Sequence, residues 1–440
     1  MDFNELSGKV VTPCDDTYGI SRLEYNLSIN KFPLAINYCY KQEDVCVAIK
    51  WCRRNNVNIR IRTGGHNYEG YSTGNGVLII DTSKMNKIEV NTESDTVKIQ
   101  AGTKLASIYS TLAKYGMGFP GGTCPTVGIS GVVLGGGIGL STRLFGLAAD
   151  NLVELELVNW KGELLTANEH ENPELFWACR GAGGGNFGVA ISYTFKTYKV
   201  DKITLIELRW NAESRESFLN TWQHWLSTAD KRISCFAGFS DNGIFLNSFF
   251  YGTPQEARKI LEDFLSLDGL LPESRIEYVP FIDAVKAIFA QYGPPNKFQA
   301  TGRFVYKKLT AETIQKLVEL VNNSPIKNTG EIRLYSLGGK VKDLDNTDTA
   351  FFYRKAHYIM AITIEWNNKE EEAACKKWLA EGLRYIESFT EGSYINFPYL
   401  YLENYLYQYY GFNVKRLRKV KRIYDPYNIF KFQQSIKDKD

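Results

Sequence analysis

The sequence predicts an α+β protein that is divided into two domains. Its 440 residues exceed the roughly 150 residues of a typical single domain. Over the first 200 residues, short helix-like and strand-like patterns alternate between glycine-rich runs. Beyond that point glycine becomes rarer, and amphipathic helices alternate with β-branched runs, as is typical of an antiparallel sheet with helices on one side. We therefore predict domains over residues 1–200 and 201–393, followed by a C-terminal segment over 394–440.

In the first domain, hydrophobic spacing predicts two helices. One covers residues 43–54, where Val45, Ile49 and Cys52 share a face, and the other covers 104–115 and ends at Gly116. Alternating or β-branched runs predict strands in NIRIR, GVLIID and VAISYTFKTYKV.

In the second domain, Thr253, Pro254 and Glu256 form a helix start with an N-cap, a proline at the first helical position and a capping-box acid. Further helices are predicted over 310–322 and 369–385, and the run YIMAITIEW predicts a strand.

The C-terminal segment ends in a predicted amphipathic helix, which Asp425-Pro426 terminates. Its apolar stripe consists of Val414, Leu417, Val420 and Ile423. Most of the basic residues on the same helix are therefore predicted to form its solvated face rather than a nucleic-acid site: Lys415, Arg416, Arg418, Lys419, Lys421 and Arg422.

Composition excludes several classes of protein. The net charge of +3 arises from nearly balanced basic and acidic residues, so no nucleic-acid or membrane partner is expected. No apolar run approaches the roughly 18 residues of a membrane-spanning helix. We see no signal peptide, and we expect a cytoplasmic protein whose eight cysteines are mostly free thiols. With four histidines, a multi-histidine metal site is not expected.

Two glycine motifs suggest functions that their surroundings contradict. Gly70–Gly74 fits the G-x-S-x-G nucleophile elbow, but a strand follows it where a hydrolase requires a helix. Gly183–Gly188 fits G-x-G-x-x-G, but it leads into a strand and not into the helix of a dinucleotide-binding unit. We interpret both as tight turns, and the second as backbone that passes close to a ligand.

His66 and Cys124 are the candidate reactive residues. His66 follows a strand within RTGGHNY, where successive glycines favour a nest of backbone N–H groups that suits a pyrophosphate. Cys124 lies in GGTCPTVG, a second loop with exposed backbone. We therefore expect the side chains of His66 and Cys124 to face the same bound cofactor. The alternative is that Cys124 is a buried structural thiol.

Four separated segments resemble the berberine bridge enzyme-like flavoproteins of the vanillyl-alcohol oxidase superfamily. They are RTGGHNYEGYS, GGTCPTVGISGVVLGGGIG, NPELFWACRGAGGGNFGV and YYGFNVKRLRKVKRIYDPYNIFKFQQSI, and the resemblance extends from about residue 8 to the C-terminus. It implies a PCMH-type FAD-binding domain built from both chain ends, with a substrate domain between them. It also implies FAD that is linked covalently twice, through its 8α-methyl to His66 and through its C6 to Cys124. A neutral imidazole and a thiolate are nucleophiles that match those electrophilic positions.

The resemblance implies further FAD contacts from three loops and the tail: Arg62, Thr63, Gly64, Gly65, Asn67, Gly122, Val127, Gly128, Gly131, Gly188, Val189, Tyr410 and Asn413. Val127 is small and stands where the family tunes oxygen access. Ile138 replaces an aromatic residue of many members.

The implied reaction is removal of hydride from a C–H next to a hydroxyl of a sugar or another small alcohol, with dioxygen reduced to hydrogen peroxide. Tyr68 and Tyr394 are the candidate bases, with Arg303 as a cation that lowers the tyrosine pKa. In YIMAITIEW no acid appears before Glu365, which favours tyrosine chemistry. The alternatives are a tailoring oxidase of secondary metabolism, a dehydrogenase that uses another electron acceptor, and a flavin-binding protein without turnover.

Overall fold

The computed structural model describes residues 2–438 as a mixed α+β fold, which confirms the predicted fold class. The first 200 residues contain eleven short strands among the described residues: β1 (Lys9–Val11), β2 (Ala35–Tyr38), β3 (Ile59–Arg62), β4 (Leu78–Asp81), β5 (Ile88–Asn91), β6 (Thr96–Gln100), β7 (Met117–Gly118), β8 (Leu152–Val158), β9 (Leu164–Asn168), β10 (Val189–Lys196) and β11 (Tyr198–Lys199). Their helices are α1 (Tyr18–Ser21), α2 (Gln42–Arg54), α3 (Leu105–Ala113), α4 (Ile129–Leu134), α5 (Thr142–Phe145) and α6 (Pro173–Ala178).

These strands form two sheets and one short pair. The first sheet has the order β1-β2-β4-β3, and β4 pairs in parallel with both β2 and β3. The helix α2 forms the crossover from β2 to β3. The second sheet has the antiparallel order β5-β6-β10-β8-β9. The strand that was predicted over VAISYTFKTYKV is divided, since β10 stays in this sheet while β11 pairs with β7.

The second half of the chain builds one antiparallel sheet of eight strands. They are β12 (Lys202–Trp210), β13 (Ile233–Ser240), β14 (Ile244–Phe250), β15 (Arg275–Pro280), β16 (Lys297–Val305), β17 (Glu331–Ser336), β18 (Tyr358–Trp366) and β19 (Glu391–Ser393), in the order β15-β12-β14-β13-β17-β18-β16-β19. The accompanying helices are α7 (Arg215–Thr228), α8 (Pro254–Ile260), α9 (Glu262–Leu265), α10 (Phe281–Phe289), α11 (Ala311–Asn322) and α12 (Lys369–Glu387). The predicted domain boundaries coincide with the limits of this sheet and stay a prediction.

The elements that local sequence signals predicted are present in the structure. Thr253 and Glu256 form the expected capping box before α8, and the hydroxyl of Thr310 accepts a hydrogen bond from the Thr313 N–H at the start of α11. YIMAITIEW is β18, with all residues buried except Glu365. No helix among residues 2–438 is both long and apolar enough to cross a membrane.

The C-terminal segment forms α13 (Tyr405–Tyr410) and α14 (Val414–Tyr424). One prediction for α14 was wrong, because Ile423 of the predicted apolar stripe is 64% exposed. Among the basic residues, most of which were predicted to be solvated, Lys421 is the exception and is only 1% exposed. Each step of three residues along an α-helix rotates about 60° less than a full turn around the helix axis. Three such steps therefore carry Ile423 to the side of the helix opposite Val414, while Lys421 points inward with Leu417.

Candidate active site

A cavity of about 880 Å³ lies between the glycine-rich loops and one face of the eight-stranded sheet. Loops 63–68, 122–128 and 183–188 contribute to its lining, and β13, β14, β16, β17 and β18 supply the sheet face. Most of the residues that the sequence selected lie around this cavity: Thr63, Gly64, Gly65, His66, Asn67, Tyr68, Gly122, Cys124, Val127, Gly128, Gly131, Gly188 and Tyr394. Ile138 lines it as well.

The first two loops touch backbone to backbone at a pair of glycines. A Cβ on Gly64 would lie 2.5 Å from the Gly128 nitrogen, and a Cβ on Gly128 would lie 2.9 Å from the Gly64 nitrogen. Both distances are shorter than any side chain tolerates, so both positions require glycine. This contact brings the loop that carries His66 against the loop that carries Cys124.

His66 is held as a neutral imidazole. Its Nε2 lies 3.0 Å from the hydroxyl of Thr126, and its ring stacks on Tyr25 with centroids 4.0 Å apart. Burial, assisted by the charge of Lys104, lowers the His66 pKa to about 4. At neutral pH the ring therefore keeps a free lone pair, which a nucleophile requires.

Cys124 is a half-buried thiol in the cavity wall, so it is not the fully buried structural cysteine of the alternative hypothesis. Its Sγ lies 3.6 Å from the Thr126 hydroxyl. All eight cysteines are free, as expected. Burial raises the pKa of Cys179 and Cys235 to about 12, which leaves those two thiols unreactive.

Two features of the cavity fit FAD, and no contact within the described chain accounts for either of them. The backbone N–H groups of Gly64, Gly65 and His66 find no acceptor among residues 2–438, which suits a pyrophosphate. Gly131 is exposed on α4, and a Cβ there would meet no atom within 4 Å. No contact within the described chain therefore requires glycine at this position, whereas close approach of a ligand would.

Four of the residues selected for FAD contact are not part of the cavity lining. The Arg62 guanidinium pairs with Asp81 at 2.5 Å, and Val189 packs in the core below the first sheet. Tyr410 donates a hydrogen bond to the Ala182 carbonyl at 2.8 Å, and the Asn413 amide donates to the Asn346 carbonyl at 2.8 Å. The contacts of Arg62 and Tyr410 involve residues next to loops 63–68 and 183–188, so these two residues support the cavity wall.

The two candidate tyrosines differ in their surroundings. The Tyr394 hydroxyl accepts hydrogen bonds from the Gly137 N–H and the Asn396 amide, both at 3.0 Å. Burial raises the Tyr394 pKa to about 12, and these two donors oppose that rise. The Tyr68 ring stacks on Phe397 with centroids 5.4 Å apart, and its hydroxyl has no hydrogen bond among residues 2–438. Burial raises the Tyr68 pKa well above 10, although the charge of Arg333 opposes that rise.

Arg303 does not reach the cavity, which corrects the predicted partnership with a tyrosine. Its guanidinium donates to Thr390 at 2.9 Å and Ser393 at 3.1 Å on the other side of the sheet. Alternate residues of a strand face opposite sides. Since Phe298 and Ala300 line the cavity, Arg303 faces away from it.

Arg333 on β17 is one of the cavity arginines that sequence reasoning missed. It pairs directly opposite Ala361 across β17 and β18, and its Nε donates to Glu331 at 2.6 Å. Tyr335, two residues along the same strand, faces the same cavity. The alternation of EIRLYS was the available signal, because it places Glu331, Arg333 and Tyr335 on one face.

A chain of polar side chains forms one wall of the cavity. Arg209 donates to Asn247 at 2.9 Å, and Asn247 donates to Gln291 at 2.7 Å. Gln291 in turn donates to Glu207 at 2.7 Å. Phe236 and Phe245 lie on the same sheet, so this wall combines hydrogen-bonding groups with ring faces.

Comparison with known proteins gives matches that cover almost the whole chain. Residues 33–168 match the family described as FAD binding domain, and residues 393–437 match the family described as berberine and berberine like. An uncharacterized FAD-linked oxidoreductase of Bacillus subtilis, YgaK, is 37% identical over 99% of this chain and 98% of its own length. Among solved structures, BBE-like 1 of Physcomitrella patens is 26% identical, with a TM-score of 0.93, over 99% of this chain and 98% of its own. A chitooligosaccharide oxidase is 25% identical, with a TM-score of 0.90, over 98% of both chains.

Proposed function

Because this chain belongs to the berberine bridge enzyme-like family of FAD-linked oxidoreductases, we propose that it oxidises a hydroxyl group of a small molecule and passes the electrons to dioxygen. The observation that carries the proposal is the position of His66 and Cys124, two nucleophiles on touching loops of one cavity, both next to Thr126. The products are a carbonyl compound and hydrogen peroxide.

The three glycine-rich loops hold the FAD. The free N–H groups of Gly64, Gly65 and His66 bind its pyrophosphate, and α4 approaches it at Gly131. His66 and Cys124 attach it covalently, at the flavin 8α-methyl and at C6. FAD bound in this way supplies two-electron chemistry, taking hydride from the substrate carbon and transferring both electrons to the acceptor.

The protein supplies a base for the proton of the substrate hydroxyl, and the contacts favour Tyr394 over Tyr68. Two N–H donors point at the Tyr394 oxygen and stabilise its phenolate, whereas the Tyr68 hydroxyl has no hydrogen bond among residues 2–438 and only the charge of Arg333 opposes its pKa rise. The phenolate accepts the hydroxyl proton as the carbon loses hydride, so the oxygen develops into a carbonyl.

Dioxygen is the favoured electron acceptor because the residue three positions after Cys124 in the cavity lining is small. Val127 lies there with a short aliphatic side chain. A valine leaves more room for dioxygen to approach the flavin than a bulky residue would. A dehydrogenase that uses a different acceptor is the competing possibility.

The polar wall favours a polyhydroxylated donor such as a sugar. Arg209, Asn247 and Gln291 present donors and acceptors in a fixed chain, which suits several hydroxyl groups at once. The similarity to a chitooligosaccharide oxidase supports the same choice. The aromatic side chains Phe236, Phe245 and Tyr335 favour the alternative, a tailoring oxidase that stacks a polycyclic natural product.

The proposal is tested first on the cofactor. We expect acid-precipitated wild-type protein to retain yellow flavin, His66→Ala and Cys124→Ala each to retain it through the remaining link, and the double variant to release it. Release of the flavin from wild type would refute covalent attachment.

The reaction is tested by a peroxide assay over sugars and aromatic alcohols, with an artificial electron acceptor as the parallel arm. A sugar that produces peroxide supports the proposal, and an aromatic alcohol that does so supports the tailoring oxidase. Turnover that appears only with the artificial acceptor identifies a dehydrogenase. If no compound bleaches the flavin, the protein is a flavin carrier.

A further inference from the structure

The hydroxyl of Thr126 lies between the two side chains that are proposed to carry FAD. Its Oγ1 is 3.0 Å from Nε2 of His66 and 3.6 Å from Sγ of Cys124. A hydroxyl both donates and accepts, so it is able to pair with either tautomer of the neutral imidazole while it contacts the thiol. One side chain thus touches both nucleophiles.

A bond to a planar cofactor forms only if the attacking atom is held close to its target and in line with it. The His66 ring is fixed at one edge by Thr126 and across its face by Tyr25, with centroids 4.0 Å apart. Apart from Thr126, no side chain among residues 2–438 holds the Cys124 thiol by a hydrogen bond. Loss of the Thr126 hydroxyl would leave the ring with stacking alone and the thiol with no fixed direction.

We propose that Thr126 is a positioning residue for the double covalent attachment of FAD, aligning His66 and Cys124 on one cofactor. This inference rests on the proposed function and concerns how the links form, not how the substrate reacts. Each link replaces one hydrogen of the nucleophile and one hydrogen of the flavin with a new bond. Two electrons and two protons are released per link, and dioxygen accepts them to give hydrogen peroxide.

The test compares Thr126→Val, which removes the hydroxyl at nearly constant shape, with Thr126→Ser, which retains it. Thr123→Val is the matched control, because the Thr123 hydroxyl lies one residue before Cys124 but bonds Tyr292 at 2.5 Å and not His66. For each purified protein, bound flavin is measured by absorbance before denaturation and acid-stable flavin after it. Mass spectrometry of tryptic peptides then measures how much of the His66 peptide is joined to the Cys124 peptide through one flavin.

We expect wild type, Thr126→Ser and Thr123→Val to give joined peptides within about twofold of one another, and Thr126→Val to bind FAD but give at least about tenfold less of them. Joined peptides at the wild-type level in Thr126→Val would overturn the inference. So would an equal loss in Thr123→Val, which would mean that any change in this loop matters. Thr126→Ala is a second variant without the hydroxyl, made in case Thr126→Val does not fold. If both variants fail to fold, or if Thr126→Val folds but binds no FAD, Thr126 acts on folding or on FAD binding and the inference also falls.

The inference and the proposed function fail in distinguishable ways. If wild-type protein holds no acid-stable flavin, the proposed covalent cofactor is wrong, and the role of Thr126 falls with it. If wild type is doubly linked and Thr126→Val is too, the cofactor proposal stands and only the role of Thr126 is rejected.

Discussion

The ammonium group of Lys421 donates a hydrogen bond to the backbone carbonyl of Asn186, with Nζ and O 2.7 Å apart. Asn186 belongs to the third glycine-rich loop of the cavity, and Lys421 lies on α14 near the C-terminus. The same ammonium also donates to Asp425 and to the Phe430 carbonyl, each at 2.7 Å. A buried cation therefore joins the end of the chain to the cavity wall.

Replacement of Lys421 by methionine should destabilise the protein by about 3 kcal/mol, because it leaves the buried Asp425 carboxylate without its counter-charge. The measurement is urea unfolding of the purified protein. Lys415→Met is the control, since Lys415 is exposed on the same helix and should change stability by less than about 0.5 kcal/mol. Equal stability of Lys421→Met and Lys415→Met would show that the buried pair contributes nothing.

Attachment of FAD to His66 should be nearly independent of pH between 8 and 5.5. Burial lowers the His66 pKa to about 4, so the imidazole stays neutral throughout this range. An imidazole with the usual pKa of about 6.5 would be only about one-tenth neutral at pH 5.5. The measurement is the rate of acid-stable incorporation in Cys124→Ala protein, where His66 is the sole proposed link. A tenfold fall between pH 8 and 5.5 would contradict the depressed pKa.

Gly131→Ala should weaken FAD binding without weakening the fold. A Cβ at Gly131 meets no protein atom, and alanine stabilises a helix by up to about 1 kcal/mol relative to glycine. The added methyl group should therefore weaken only FAD binding. The dissociation constant of FAD should rise at least about tenfold when Gly131→Ala is made in the His66→Ala, Cys124→Ala double variant. Gly19→Ala is the control, since its Cβ also meets nothing and Gly19 does not line the cavity. Unchanged FAD affinity would mean that α4 does not approach the cofactor.

Tyr394→Phe should slow flavin reduction by a panel substrate at least about tenfold, while Tyr68→Phe should slow it less. The Tyr394 pKa of about 12 means that the phenolate is scarce at neutral pH. The wild-type reduction rate should therefore rise with pH through the alkaline range, and Tyr394→Phe should abolish that rise. The rate is measured by stopped-flow absorbance as the flavin is bleached. An unchanged rate in Tyr394→Phe would reject Tyr394 as the base.

Local sequence was sufficient to predict many of the elements and both proposed attachment residues. The capping residue Thr253 marks a helix start through contacts within one turn, and the glycine loops carry His66 and Cys124 within a few residues of their motifs. Such features depend on neighbours in the chain, so they are visible without a fold.

Strand pairing was not predictable in this way. Arg333 lies opposite Ala361, and Arg303 turns away from the cavity, because of the register and facing of β16, β17 and β18. A shift of one residue would reverse both placements. The sequences of these strands alone do not indicate which face of the sheet is covered by helices.

The sequence by itself determined the fold class, the three glycine-rich loops and the pair His66 and Cys124, since each depends on residue type and short spacing. Only the tertiary structure decided that Thr126 touches both nucleophiles, that Tyr25 stacks on His66 and that Lys421 is buried under the third loop. Each of these three relationships includes a contact between residues that are distant along the chain. They form only when packing of the whole chain repays the entropy of bringing them together.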